Sequence, residues 1–219
     1  MKSPFDGAEN PPGVAVLRFG DAVLPRPLTG LPILGTDLST VPGPYRRLIV
    51  IGADADLAAV LTRLLRAERL DIEVGYAPPR RTPATRAYRL PSGRRAARRA
   101  LGGTARRVPM IRDETGSVIV GRADWRPTEE GQPIRGEAVV DDTVLFDGDA
   151  AGIAIEPTLA LPGLRAALPG AGPWRRWIAG RAAQLGTTGA IVVRDGVRAP
   201  RPVRRSSFYR HVEGWLLVR

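Results

Sequence analysis

The chain has 219 residues, 43% of them hydrophobic and only 5% aromatic, with 25 glycines and 21 prolines, so it is a globular chain with one good core or two small ones, built mainly of Val, Leu, Ile and Ala between many turns. It has no cysteine and one histidine, His211, which excludes disulfides, thiolate metal sites, HExxH zinc chemistry and Ser/His or Cys/His nucleophilic systems, and fits a reducing compartment. The net charge is +11, and of the 33 basic residues only Lys2 is a lysine; genome composition explains an arginine bias of this kind as readily as function does, but the surplus over acids attracts polyanions through a field that falls with salt.

In chain order, the first segment, MKSPFDGAENPPG, lacks an apolar core of signal length, and no run is long enough to span a bilayer, so the expected location is cytoplasmic. Residues 1–45 are rich in Pro and Gly, with only Val14–Phe19 and the surroundings of Leu31–Leu34 able to form short strands; an extended arm packed on the body is expected. From residue 46 to about 115 the pattern alternates. A strand at Arg46–Ile51 leads to a helix at about Asp56–Arg69, a strand at Asp71–Tyr76, a basic loop and a helix at about Ser92–Leu101, which is α/β order with a short parallel sheet. Over 116–219 helical periodicity mostly disappears. Short β runs at Ser117–Arg122, Pro133–Val140, Thr143–Phe146, Gly152–Glu156, Ala190–Arg194 and Trp215–Val218 predict an antiparallel, β-sandwich-like half.

Within RRLIVIGADADLAAVLTRLL (Arg46–Leu65), Leu48–Ile51 form the continuous apolar run of a strand covered on both faces, and Leu57, Val60, Leu61, Leu64 and Leu65 recur at helical spacing. Strand, glycine turn and helix can present N–H groups to phosphate. The plainer reading of Gly52-Ala53-Asp54-Ala55-Asp56 is a βα turn whose aspartates cap the helix. Asp195-Gly196 fits a type I′ hairpin turn. Trp174 and Trp177, which bracket Arg175 and Arg176, fit the cover of a β edge, or a base- or lipid-facing cluster.

The densest charge feature is the run Arg80, Arg81, Arg86, Arg89, Arg94, Arg95, Arg98, Arg99, Arg106 and Arg107, with no acid between Pro78 and Arg112. Arg94, Arg95, Arg98 and Arg99 form two adjacent rows on one side of a helix, where like charges at i, i+4 cost stability unless an anion offsets them. A solvated face and an anion-binding face are the two readings.

Several landmarks together resemble the diacylglycerol kinase and sphingosine kinase-like lipid kinase family, within the NAD kinase/diacylglycerol kinase-like superfamily. Gly52-Ala53-Asp54-Ala55-Asp56 resembles the family's GGDGT phosphate loop. Arg86, Leu90 and Pro91 match parts of its GTGNDFAR…LGLP stretch, Asp141–Asp147 its D-D-G-L-L-D element, and Gly180-Arg181 with Asp195-Gly196-Val197 its final GR…DGE hairpin. The resemblance implies Gly52, Asp54, Asp56 and Arg86 as nucleotide-binding positions, Asp54 and Asp195 as catalytic candidates, and Asp141 and Asp142 as a metal-linked pair, with ATP and magnesium as cofactors if the chain is a kinase. The departures fall where the chemistry would be done: Ala53 and Ala55 replace phosphate-loop glycines, and Val197 stands where the family's glutamate base would be. The resemblance starts at Arg46, which leaves too little preceding chain for the family's first strands, and covers about three-quarters of the chain. The expected function is therefore a degenerate, non-catalytic lipid-kinase-like protein binding an anionic ligand in a basic inter-domain region. The alternatives are an active ATP-dependent lipid kinase and a basic protein that binds RNA or an anionic membrane.

Overall fold

The computed structural model describes residues 13–35, 41, 44–169 and 176–219. The first sheet is built from β1 (Val14–Arg18), β2 (Ile33–Leu34), β3 (Arg47–Ile51) and β4 (Glu73–Tyr76), all parallel to their neighbours. Two helical segments follow β4: α2 (Pro83–Ala87) and α3 (Gly93–Gly102); α1 (Asp54–Arg66) connects β3 to β4. β5 (Ala105–Val108) closes one edge.

The remaining strands, except the last, make a second, antiparallel assembly: β6 (Ile111–Asp113), β7 (Val118–Ile119), β8 (Ala123–Arg126), β9 (Ile134–Val140), β10 (Thr143–Ala150), β11 (Ile153–Pro157), β12 (Leu164–Ala167), β13 (Ile178–Gly180), β14 (Ala182–Arg194), β15 (Val197–Arg198) and β16 (Val203–Arg210). Its spine is β14. Residues 182–187 of β14 pair with β9 and β16, and residues 191–194 pair with β8 and β15, on either side of a register shift between Gly186 and Ala190. One long strand thus serves both layers of the β-sandwich-like half.

Two placements differ from the sequence expectation. The segment before Arg46 is not only an arm: β1 lies beside β3 in register from Val14↔Arg47 to Arg18↔Ile51, because Ala15, Val16 and Leu17 are buried and complete the parallel sheet. The last strand, β17 (Trp215–Val218), expected among the β-rich strands, returns to the first sheet, parallel to β4 and antiparallel to β5. Trp215, Leu217 and Val218 are all buried, as a strand covered on both faces requires.

The two long helices take opposite faces of the first sheet. Leu57, Val60, Leu61 and Leu64 of α1 pack with Leu48, Val50, Val74 and Trp215 and with Val118 and Val120 of the second half. Ala96, Ala97 and Ala100 of α3 pack on the other face, with Val16, Ile49, Ile51 and Leu28. A separate core around Trp125, Ile155, Val192 and Phe208 fills the β-rich half, where the Trp125 indole donates to Ser206 Oγ at 3.0 Å.

Candidate functional site

The carboxyl ends of β3 and β4 meet the β7–β8 connection at one small centre. β3 ends at Ile51, and the chain turns through Gly52 and Ala53 into α1. Asp54, at the first helical position and 6% exposed, accepts the Tyr76 hydroxyl at 2.8 Å through Oδ1 and the Ala84 N–H at 3.0 Å through Oδ2. Burial, reinforced by the Asp54 charge and hydrogen bond, pushes the Tyr76 hydroxyl far above its ordinary pKa and keeps it a donor. Asp56 Oδ2 accepts the Ala53 N–H at 2.7 Å, one arm of a capping box.

Across from Asp54 lies Asp195, the first residue of the β14–β15 turn. Asp195 and Gly196 have φ of 47° and 88°, the two positive values of a type I′ turn. The Asp195 carboxylate accepts three consecutive backbone N–H groups, from Val120 (3.0 Å), Gly121 (2.7 Å) and Arg122 (2.9 Å), and its own N–H donates to the Arg122 carbonyl at 2.8 Å. Burial pushes its pKa up to about 6; those N–H groups oppose the shift and the Asp54 charge adds to it.

Gly121 is the hinge pin between the two acids. While its N–H serves Asp195, a Cβ on Gly121 would stand 2.5 Å from Asp54 Oδ2, 2.9 Å from Pro83 Cβ and 3.0 Å from the Ala84 nitrogen. Only glycine lets the β7–β8 connection pass this close to Asp54 and α2. Sequence reasoning did not single out Gly121, Tyr76 or Ala84; the one available signal was Gly121 after a β-branched run, a mark of close backbone approach.

The other expected site residues lie elsewhere. Asp141, at the β9–β10 turn with φ 49°, accepts the N–H groups of Arg181 (2.9 and 3.0 Å) and Ala182 (2.9 Å), so it fastens the β13–β14 link; Asp142 beside it is exposed. Val197 is 59% exposed on β15. Arg80, Arg81 and Arg86 are exposed around α2, and Arg94, Arg95, Arg98 and Arg99 are exposed on α3. Because α3 covers the sheet face opposite α1, its arginines face away from the centre around Gly121 rather than into an inter-domain region. Arg106 and Arg107 are exposed on β5, and Arg107 pairs with Glu213 at 2.6 Å. His211 Nδ1 accepts from Arg112 Nε at 3.3 Å. Arg165 stacks over the Trp177 ring at 4.3 Å, while Trp174 and Arg175 lie outside the described residues.

A magnesium ion at this centre would need several free oxygens converging on one point. Each oxygen of Asp54 and Asp195 already accepts a protein donor, and no group of three or more His, Asp or Glu side chains placed to hold a metal occurs among the described residues. A phosphate on the α1 N-terminus would face Asp54 and Asp56 in the first turn. Asp56 Oδ2 also fills the space that a Cβ on Gly52 would need. The positive end of the helix is met by its own carboxylates.

No protein-family profile and no curated protein sequence matches the chain. Solved structures do. A diacylglycerol kinase structure from Bacillus anthracis str. Sterne superposes with a TM-score of 0.70 at 12% identity, over 94% of this chain and 96% of that one. The chain has the lipid-kinase-like fold. An NAD kinase from Archaeoglobus fulgidus in complex with ATP superposes with a TM-score of 0.63 at 12% identity, over 94% of this chain and 93% of that one, so the fold is shared with both structures. The likeness runs well beyond the three-quarters expected, because β1 and β2, before Arg46, are part of the lipid-kinase-like sheet. No helix among the described residues is long and apolar enough to cross a membrane.

Proposed function

We propose that this chain is a non-catalytic protein on a lipid-kinase-like fold, whose arginine surface between Arg80 and Arg107 binds a polyanion. The observation that carries the first half is that every carboxylate oxygen of Asp54 and Asp195 is engaged by a protein donor. Phosphoryl transfer needs carboxylates free to hold a metal or take a proton, and donors aimed at the transferring phosphate. Here Asp54 ties β3 to β4 and α2, Asp195 ties the β14–β15 turn to the β7–β8 connection, and position 197 carries an exposed valine. The acids act as fasteners, Asp54 within the α/β half and Asp195 within the β-rich half.

The second half is supported by charge. All ten arginines of the run are exposed, and among the described residues only Arg107 pairs with an acid. Guanidinium groups left in this state suit phosphate oxygens, to which they can offer paired donors. One observation favours the kinase alternative: Asp54 and Asp195, far apart in sequence, converge on Gly121.

The test of binding is direct. Wild type and a variant with Arg94, Arg95, Arg98 and Arg99 all changed to Gln are compared on RNA and on anionic vesicles at two salt concentrations. The proposal expects wild-type binding that weakens steeply with salt and a large loss in the variant. Equal binding by both proteins, or binding indifferent to salt, makes this a solvated face and overturns it.

A further inference from the structure

Arginines in the last turn of a helix ordinarily serve its free carbonyls and the negative end of its dipole. In α3 that work is done from beneath by a different residue. Arg47, 8% exposed, donates from Nη1 to the carbonyls of Ala100 (3.3 Å) and Leu101 (2.5 Å) and from Nη2 to that of Gly103 (3.1 Å), while pairing with Glu73 at 2.6 Å. With the helix end already neutralised, Arg95, Arg98 and Arg99 have neither an acidic nor a carbonyl partner among the described residues, and they stand at like-charge spacing.

These three arginines line a basin of about 430 Å³ together with Thr104 and Arg219, over a floor of Gly102 and Gly103, and no acidic side chain lines it. The floor is rigid. Thr104 and Arg219 exchange backbone hydrogen bonds at 3.3 and 3.1 Å, which extend the β5–β17 ladder, and the Gly103 N–H closes the helix on the Arg99 carbonyl at 2.7 Å. A Cβ on Gly103 would lie 2.5 Å from the Arg99 carbonyl oxygen and 3.1 Å from Arg99 Cδ. The missing side chain is what lets the Arg99 carbonyl and Cδ come this close to Gly103.

We propose that Arg95, Arg98 and Arg99, with the Thr104 hydroxyl at the rim, form a discrete phosphate subsite on the outer face of the first sheet, remote from the Gly121 centre. The group bound is a phosphate oxyanion, free or at the head of a lipid. This deepens the polyanion reading by fixing where on the arginine surface a single phosphate seats, and it rests on that reading.

The test titrates full-length protein with pyrophosphate by calorimetry. Saturable one-to-one binding is expected, weakened about tenfold or more in R98Q/R99Q, which removes two planar donor forks. It should be unchanged in R204Q/R205Q, two exposed arginines of β16 outside the run, which lowers net charge equally. Gly103→Ala, which leaves every charge in place, should also weaken it; if that variant loses its native circular dichroism, R98Q/R99Q against R204Q/R205Q decides alone. Equal loss in both double variants, or no saturable binding, overturns the subsite, and the polyanion proposal stands if wild type still binds RNA or vesicles in a salt-dependent way. Phosphatidylcholine vesicles with and without phosphatidylglycerol identify the source: pyrophosphate that competes the protein off the anionic vesicles assigns the subsite to a lipid headgroup, and pyrophosphate that binds without competing assigns it to free phosphate.

Discussion

Replacing Asp195 by Ala removes the acceptor of three neighbouring N–H groups, those of Val120, Gly121 and Arg122. An orphaned buried donor costs about 1–3 kcal/mol. The turn is only partly buried and water can reach some of the freed groups, so the expected total is about 2–4 kcal/mol. Urea unfolding followed by tryptophan fluorescence reads this as a lower midpoint at unchanged slope. The dependence on pH is distinctive. The folded pKa of Asp195, about 6, lies above that of an unfolded aspartate, so the folded state holds the proton more tightly. This contribution to stability is fully present below about pH 4 and is lost as pH rises through 6, amounting to about 3 kcal/mol over the window. Wild type should therefore gain stability relative to Asp195→Asn as pH falls from 7 to 4. Asn keeps one oxygen acceptor but turns its amide toward the Val120 N–H. If Asp195→Ala unfolds at the wild-type midpoint, or the gap to Asp195→Asn is flat with pH, Asp195 does not hold the turn and the reasoning fails.

Gly121→Ala should be poorly tolerated, destabilising by about 2 kcal/mol or more, because its Cβ would enter the contacts of Asp54, Pro83 and Ala84; thermal unfolding checks this. Arg47→Leu should cost about 3–5 kcal/mol, since it strands Glu73 and the carbonyls at the end of α3; Arg47→Lys should recover only part of that in urea, having a point charge in place of a fork. Gly196→Ala, at φ 88°, should lower stability by about 1 kcal/mol through backbone strain alone.

The α/β half was largely legible because its signals are local. The Leu48–Ile51 run and the helical spacing of Leu57, Val60, Leu61 and Leu64 placed β3 and α1, and Asp195-Gly196 gave its turn type. α2 was missed although Pro83 stands at its first turn and Thr82 and Thr85 exchange capping bonds at 2.8 and 3.2 Å; five residues are too few for a periodic signal. β16, VRRSSFYR, buries only Ser206 and Phe208, so its apolar pattern is thin, and the Gly-Thr-Thr-Gly stretch at 186–189 hid the middle of β14 by looking like a turn. Local pattern also could not say which sheet a strand joins, which is why β17 was misplaced. At the centre, Asp54 and Asp195 were named from the resemblance, but what they touch was out of reach: Ala84 is 30 residues from Asp54 and Gly121 is 74 from Asp195. Only tertiary packing brings them together.

The most direct test is transfer of labelled γ-phosphate from ATP, with magnesium, to a panel of lipid acceptors, comparing wild type with Asp54→Asn and Asp195→Asn. The account predicts no transfer above background by any of the three proteins, with the two variants differing from wild type in stability alone. Wild-type turnover at about 1 per second or above, an ordinary enzyme rate, abolished by either substitution in a protein that remains folded, would show that these carboxylates do chemistry and would contradict it.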